Sequence, residues 1–313
     1  MKVATWNLEN LFTPGDPDGP PDQETYAAKL AGLAGLIDEL DPDVLAVQEV
    51  GSPEALADLV DRLDGSWQHA LADPDGRGIR VGVITRRPVE EAEQVSDLPA
   101  RIGPVRVDDS GTTLSTMGRP ALRVRVLDDT GATLDVVSVH LKSKLLSFPG
   151  GRFSPRDEDE RARYGVYALH RRAAEAAAVR TFVTDHLDDE GRDRALVVAG
   201  DLNDEPLAAT TQILLGPPGS EIGTGGFDAP DQGDGARLWN LESLIPEPDR
   251  FSRVYRGRPE LIDHLLVSRN LVTRVVEVST GGPRPASITD DPRARLDEPA
   301  SDHRPVLATF LPR

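Results

Sequence analysis

Short apolar runs of strand length punctuate the chain at residues 3–6, 44–47, 79–84, 134–139, 196–199, 261–267 and 306–310. Helical periodicity fills most of the intervals between them. That alternation restricts the chain to an α/β architecture. Runs that are apolar at every position have no wet side, so their sheets must be covered on both faces. Residues 121–127 differ, since Leu122, Val124 and Val126 alternate with Arg123 and Arg125, which predicts a strand with one wet face. Tyr26, Leu30, Leu33, Ile37 and Leu40 recur at helical spacing, and Asp41-Pro42 stops that helix. Residues 54–63 predict a shorter amphipathic helix. The Ala-rich stretch 166–187 predicts a long one, with Val166, Leu169, Ala173, Ala176, Val183 and Leu187 on its buried side. Asp204 is positioned to cap a further helix, with Pro206 in its first turn. Residues 14–22, 216–235 and 281–299 are rich in Gly, Pro and Asp and predict loops; the second is long enough to shape substrate access. None separates self-sufficient blocks of strands, so one domain over 1–313 is expected.

Composition removes whole classes of function. The chain has no cysteine, which excludes disulfides, thiolate catalysis and Cys-based metal sites. No stretch approaches the roughly 18 apolar residues of a membrane helix. The segment Met1-Lys2-Val3-Ala4-Thr5-Trp6 has no apolar signal core and leads straight into a predicted strand, so a cytoplasmic protein without a membrane partner is expected. With 35 Lys and Arg against 53 Asp and Glu, the net charge of −18 opposes broad nucleic-acid binding, but not a cleft that is locally basic or metal-charged.

The informative residues are those at the ends of the apolar runs. Residues 3–6 end at Asn7, 44–47 at Gln48-Glu49, 134–139 at His140, and 196–199 at Gly200-Asp201-Leu202-Asn203; Ser301-Asp302-His303 precedes the last run. Strand ends are where α/β proteins place their chemistry, because the sheet fixes backbone positions while loops vary. The donors are amide and carboxylate oxygens with a few imidazoles, a set that suits Mg²⁺ or Mn²⁺ better than Zn²⁺. Such an ion takes substrate phosphate as a ligand, and imidazoles beside carboxylates supply acid and base.

Ala4-Thr5-Trp6-Asn7-Leu8, Val47-Gln48-Glu49, Val139-His140-Leu141-Lys142, Gly200-Asp201-Leu202-Asn203, Ile262-Asp263-His264 and Ser301-Asp302-His303-Arg304-Pro305 together resemble the endonuclease/exonuclease/phosphatase superfamily, the DNase I-like fold. Each motif is weak alone, but they occur in the family's order and span nearly the whole chain. The resemblance implies a four-layer α/β sandwich, with two central mixed sheets flanked by helices and the motifs meeting at one edge. It also implies divalent-metal-dependent cleavage of a phosphoester. Carried over, Glu49 is the main metal ligand with Asn7 and Asp302 nearby. Asp201 and Asn203 position or activate the attacking water and hold the phosphate. Asp263 orients His303 beside the phosphate, and His140 touches a phosphate oxygen or protonates the leaving group; which group is the base stays open.

Arg119 precedes a strand much as a phosphate-contacting Arg does in DNase I-like nucleases, and Lys142 and Lys144 are placed to line the cleft. His264 falls opposite Asp263 by period two and is expected to pack or to lie at the surface. His69, His170 and His186 are expected to be solvated. The resemblance leaves the substrate open. A phosphodiesterase or nuclease is expected, with DNA or RNA held by the cleft as one class of partner. A phosphomonoesterase is the alternative enzyme, and a catalytically idle phosphate-binding scaffold the alternative of another class. The Cys-Asp-Arg pattern of inositol 5-phosphatases is missing at Ile262-Asp263-His264.

Overall fold

The computed structural model describes residues 1–289, 291 and 294–312. Among the described residues sixteen strands run in chain order: β1 (Lys2–Leu11), β2 (Val44–Val50), β3 (Gln68–Leu71), β4 (Arg80–Thr85), β5 (Val89–Asp97), β6 (Val105–Arg106), β7 (Thr113–Leu114), β8 (Thr116–Leu127), β9 (Thr133–His140), β10 (Ala195–Asp201), β11 (Trp239–Asn240), β12 (Arg253–Tyr255), β13 (Arg258–Glu260), β14 (Asp263–Val267), β15 (Val275–Thr280) and β16 (Val306–Phe310). Two mixed six-stranded sheets carry the fold, ordered β15-β16-β1-β2-β4-β3 and β11-β14-β10-β9-β8-β5. Hairpins β6–β7 and β12–β13 stand apart from them.

The predicted four layers form because each central strand is apolar on both sides. Val3, Val44, Ala46, Val81 and Val83 of the first sheet meet Val124, Val136, Val197, Ala199 and Leu265 of the second in the inner core. The alternate residues Ala4, Trp6, Leu45 and Val47 pack against helices α1 (Gln23–Leu40) and α2 (Pro53–Val60). Val137, Val139, Leu196 and Val198 pack against α3 (Glu158–Leu187). Caps fix the helix starts, since Asp22, Ser52 and Asp157 accept hydrogen bonds from the backbone N–H of Thr25, Ala55 and Glu160. No helix among the described residues is long and apolar enough to cross a membrane.

Several expectations need correction. Helix α3 begins at Glu158, not Val166, and its first half turns a different face inward: Val166 and Leu169 are 46% and 42% exposed, while Arg172 and Glu175 are buried. Those charges tolerate burial because they are paired, Arg172 with Asp204 and Glu175 with Arg171. Strand β8 has no wet face at Arg123, which is covered by Asp135, Glu91 and Glu93. His186 is not solvated, because its Nε2 lies 2.9 Å from Asp135. Exposed His69 falls on β3 and exposed His170 on α3. The helix after Asp204 is α4 (Ala209–Leu214), and Asp204 does not cap it; its carboxylate instead takes Arg172, Lys144 and Thr210. Segment 216–235 is hydrogen-bonded at its far end to Gly191, before β10 begins, so it does not line the cleft described next.

Candidate active site

Strand direction explains why residues far apart in sequence meet. β1 and β2 are parallel, as are β9 and β10, so all four deliver their C-terminal ends to one edge of the sandwich. β14 and β16 run antiparallel to β10 and β1 and begin at that same edge. In the second sheet His140, Asp201 and Asp263 stand in one cross-strand row. Beneath the edge the two sheets are joined by a chain from Thr5 Oγ1 to Gln48 Oε1 (3.2 Å) and from Gln48 Nε2 to Ser138 Oγ (3.3 Å). Gln48 therefore braces the floor.

The backbone at this edge leaves ordinary strand geometry. Glu9, Asn10, Glu49 and Asn203 all have positive φ, between 48° and 59°. Such conformations cost of order 1–3 kcal/mol each, and side-chain bonds hold them here. Asn10 N–H donates to Glu49 Oε2 (3.0 Å), Glu9 N–H to Asn7 Oδ1 (2.9 Å), and Asn203 N–H to Asp201 Oδ1 (2.8 Å). Gly200 has no substitute, since a Cβ there would lie 1.9 Å from Val139 O.

The result is a cleft of about 270 Å³. His303 Nδ1 is 2.6 Å from Asp263 Oδ2, and its Nε2 is 3.9 Å from Asp302 Oδ1. Asp201 Oδ2 accepts from Asn7 Nδ2 (3.1 Å) and lies 3.4 Å from His140 Nε2, which is 3.9 Å from Glu49 Oε1. Asn203 Nδ2 donates to Leu141 O, anchoring the chain after β9. Trp6 Nε1 holds His303 O, and Ser301 Oγ bridges Asn7 O and His303 N–H, so the last motif is fastened to the first.

Burial sets the charge states. Burial by itself would lower the pKa of His303, but Asp263 and Asp302 outweigh it and push the imidazole up to about 10, a cation at neutral pH. His140 is driven well below its ordinary value by burial and then by Arg119 and His303, so it is neutral. Burial and the neighbouring Asp263 push Asp201 up to about 6. Glu9 is likewise raised, by burial and by Asp302, against the pull of Arg295 and Lys29.

Glu49, Asp201, Asn203, His140, Asp302, His303 and Arg119 all line the cleft, with Asn7 and Asp263 directly behind. Arg119 spends its guanidinium on His140 O, Leu141 O (both 3.2 Å) and Asp75, so it tethers the end of β9. Lys142 is not brought to the cleft. Its ammonium turns back to Ser143 O and Leu145 O, because its backbone N–H is held by Glu175 on the α3 side. Lys144 does line the cleft. Of the two places expected for His264 the structure gives the packed one, between Asp204 O and Asn240.

A model of the endonuclease/exonuclease/phosphatase family matches residues 4–303. The chain belongs to that family. Solved structures with the same fold include human nocturnin's catalytic domain with bound sulfate (TM-score 0.59, 13% identity, covering 99% of this chain and 94% of that one). Truncated TDP2 from Caenorhabditis elegans is similar at TM-score 0.57 and 17% identity, with 99% and 97% covered. A mannosyl-6-phosphatase from Bacteroides thetaiotaomicron is similar at TM-score 0.58 and 14% identity, with 99% of each chain covered. No curated protein sequence matches.

Within this family member, the residues that sequence reasoning overlooked include Glu9, Arg77, Arg253 and Arg295, all in the cleft lining. Glu9 carries no periodic signal, because the chain leaves strand geometry at Glu9 and Asn10 and the pairing register shifts after Asn7. Arg295 grips both oxygens of Glu9 at 2.7 and 3.1 Å, a contact no local pattern announces.

Proposed function

We propose that the chain is a single endonuclease/exonuclease/phosphatase domain over 1–313 that hydrolyses a phosphodiester with Mg²⁺ or Mn²⁺, as a phosphodiesterase or nuclease. One observation carries this reading: a buried, cationic His303 faces a cleft whose lining brings the carboxylates Glu9, Glu49, Asp201 and Asp302 together with Arg77, Arg119, Lys144, Arg253 and Arg295. The donor set fits a hard divalent cation. Glu49 Oε1 has no hydrogen bond among the described residues, and the Glu49 and Asp302 side chains are open to the cleft at 21% and 14% exposure. Asn7 fits less well, since its oxygen already accepts from Glu9 and its nitrogen serves Asp201. Glu49 and Asp302 would hold the ion, with Glu9 adjacent. Asp201, Asp263 and His303 also offer ligand atoms within 4.8 Å of one another, but His303 Nδ1 is already bound to Asp263, so the trio reads as an ion pair with a neighbour. A bound divalent ion supplies Lewis-acid neutralisation of phosphate charge.

The chain's own groups divide the remaining work. A diester resists attack through its negative charge, and His303 Nε2–H donates to a phosphate oxygen as charge builds there. Asp201, near pKa 6 and steadied by Asn7, is largely ionised at neutral pH and accepts a proton from the attacking water. Asn203 and Arg119 tether the chain at the end of β9, where His140 sits, and neutral His140 donates a hydrogen bond to the leaving oxygen. Calorimetric titration with Mg²⁺ and Mn²⁺ tests the cofactor and the enzyme reading together. Binding at millimolar metal or below, lost in Glu49→Gln, is expected; no binding would favour an idle phosphate-binding scaffold.

A further inference from the structure

Beside the cleft lies a second cavity, of about 410 Å³. Segment 142–149 divides the two, and Leu145 lines both. The far wall is α3. In a chain only 4% aromatic, three rings gather here: Phe148 and Tyr164 at 4.9 Å between centroids, and Tyr164 and Tyr167 edge-on at 5.5 Å. Lys142 and Arg171 make the wall cationic in a strongly acidic protein.

Its donors are incompletely used. Arg171 gives Nε to Glu175, and its terminal nitrogens have no hydrogen-bond partner among the described residues. One of them rests on Gly118, where a Cβ would come within 1.5 Å. The Tyr164 hydroxyl is buried with no partner among the described residues, and the Tyr167 hydroxyl is spent on Asp109, so these residues offer the cavity their rings rather than their oxygens. The acid in the lining, Asp108, is spent on Ser110 and Thr112. Aromatic walls, unspent donors and a volume in the range of small-molecule sites call for a planar ring that carries hydrogen-bond acceptors. An aliphatic chain would leave the donors unpaired, and inorganic phosphate would leave most of the cavity unfilled.

We propose that this cavity is the subsite for the nucleoside of a nucleotidyl ester whose phosphate lies in the adjoining cleft. The inference rests on the phosphodiesterase reading and adds its substrate class. The test compares thymidine 5′-(4-nitrophenyl) phosphate with methyl 4-nitrophenyl phosphate, which share a leaving group, in wild type, Tyr167→Ala and Arg171→Met. Alanine substitution of a ring that supports a base predicts roughly tenfold loss of kcat/KM on the thymidine ester. Turnover of the methyl ester should stay near wild type in both variants, and so should the thermal midpoint of Tyr167→Ala; Arg171→Met should melt lower, because it leaves buried Glu175 without its partner. Equal loss on both esters in both variants, or no loss on the thymidine ester, overturns the subsite. If wild type cleaves neither ester, the phosphodiesterase reading fails and calorimetry decides the cavity separately. Tighter binding of adenosine 5′-monophosphate than of methyl phosphate, weakened in Tyr167→Ala, upholds it; equal affinities overturn it.

Discussion

Replacing Asp263 by Asn removes the negative charge that sits 2.6 Å from His303 Nδ1. The aspartate is fully buried, so no water takes its place, and the imidazole keeps only Asp302 and Asp201 as acidic neighbours. A contacting opposite charge shifts a pKa by roughly 1–3 units, so His303 falls from about 10 by that amount. Asp201 falls as well, because Asp263 is the charge that repels its ionised form. Both limbs of the pH–rate profile therefore move toward acid, the alkaline one because a neutral imidazole cannot offset phosphate charge. Loss of one preorganised donor to the developing charge costs about 2.7–4 kcal/mol, or 10²–10³ in kcat, and 10²–10⁴ brackets acid–base groups generally. The assay is kcat from pH 5 to 10 on a 4-nitrophenyl diester, for Asp263→Asn and His303→Ala, with thermal midpoints to confirm folding. Near-wild-type turnover in both variants would falsify the assignment, and so would a loss of turnover with both limbs unmoved.

Further outcomes follow from the same geometry. Saturating Mn²⁺ at about 100 times Kd should stabilise the protein by about 2.7 kcal/mol, some 4 °C for a chain of this length, and EDTA or Glu49→Gln should abolish the rise in a thermal melt. Asp135, held near pKa 2 among His186, Arg125 and Arg123 despite burial, contributes about 2 kcal/mol above its unfolded pKa of ~3.9, and that contribution is lost as pH falls toward 2. Asp135→Asn should thus lower the urea midpoint at pH 7, with the gap from wild type closing in acid. Gly200→Ala forces a Cβ onto Val139 O and should cost about 1–3 kcal/mol, read as a lower thermal midpoint.

The strands were legible because their apolar runs are buried on both sides. Val44, Ala46 and Val197 face the inner core, while Leu45, Val47 and Val198 face helices. The polar residues that end those runs do converge, as His140, Asp201 and Asp263 show by standing in register. What misled the pattern was charge that is buried in pairs. Arg172 and Glu175 occupy the inward face of α3 at the expense of Val166 and Leu169, and Arg123 disappears beneath Glu91, Glu93 and Asp135. Contacts across long sequence separation were invisible for a different reason. Arg295 reaches Glu9 across nearly the whole chain, and Lys142 is turned from the cleft by Glu175 on a helix. Only the assembled sheets bring those groups together.

The most direct test is hydrolysis of bis(4-nitrophenyl) phosphate beside 4-nitrophenyl phosphate, with Mg²⁺, Mn²⁺ or EDTA, in wild type and Asp302→Asn. The account predicts metal-dependent cleavage that favours the diester and is lost in the variant and in EDTA. Preference for the monoester would move the enzyme to the phosphatases, and diester cleavage untouched by EDTA or by Asp302→Asn would contradict the account.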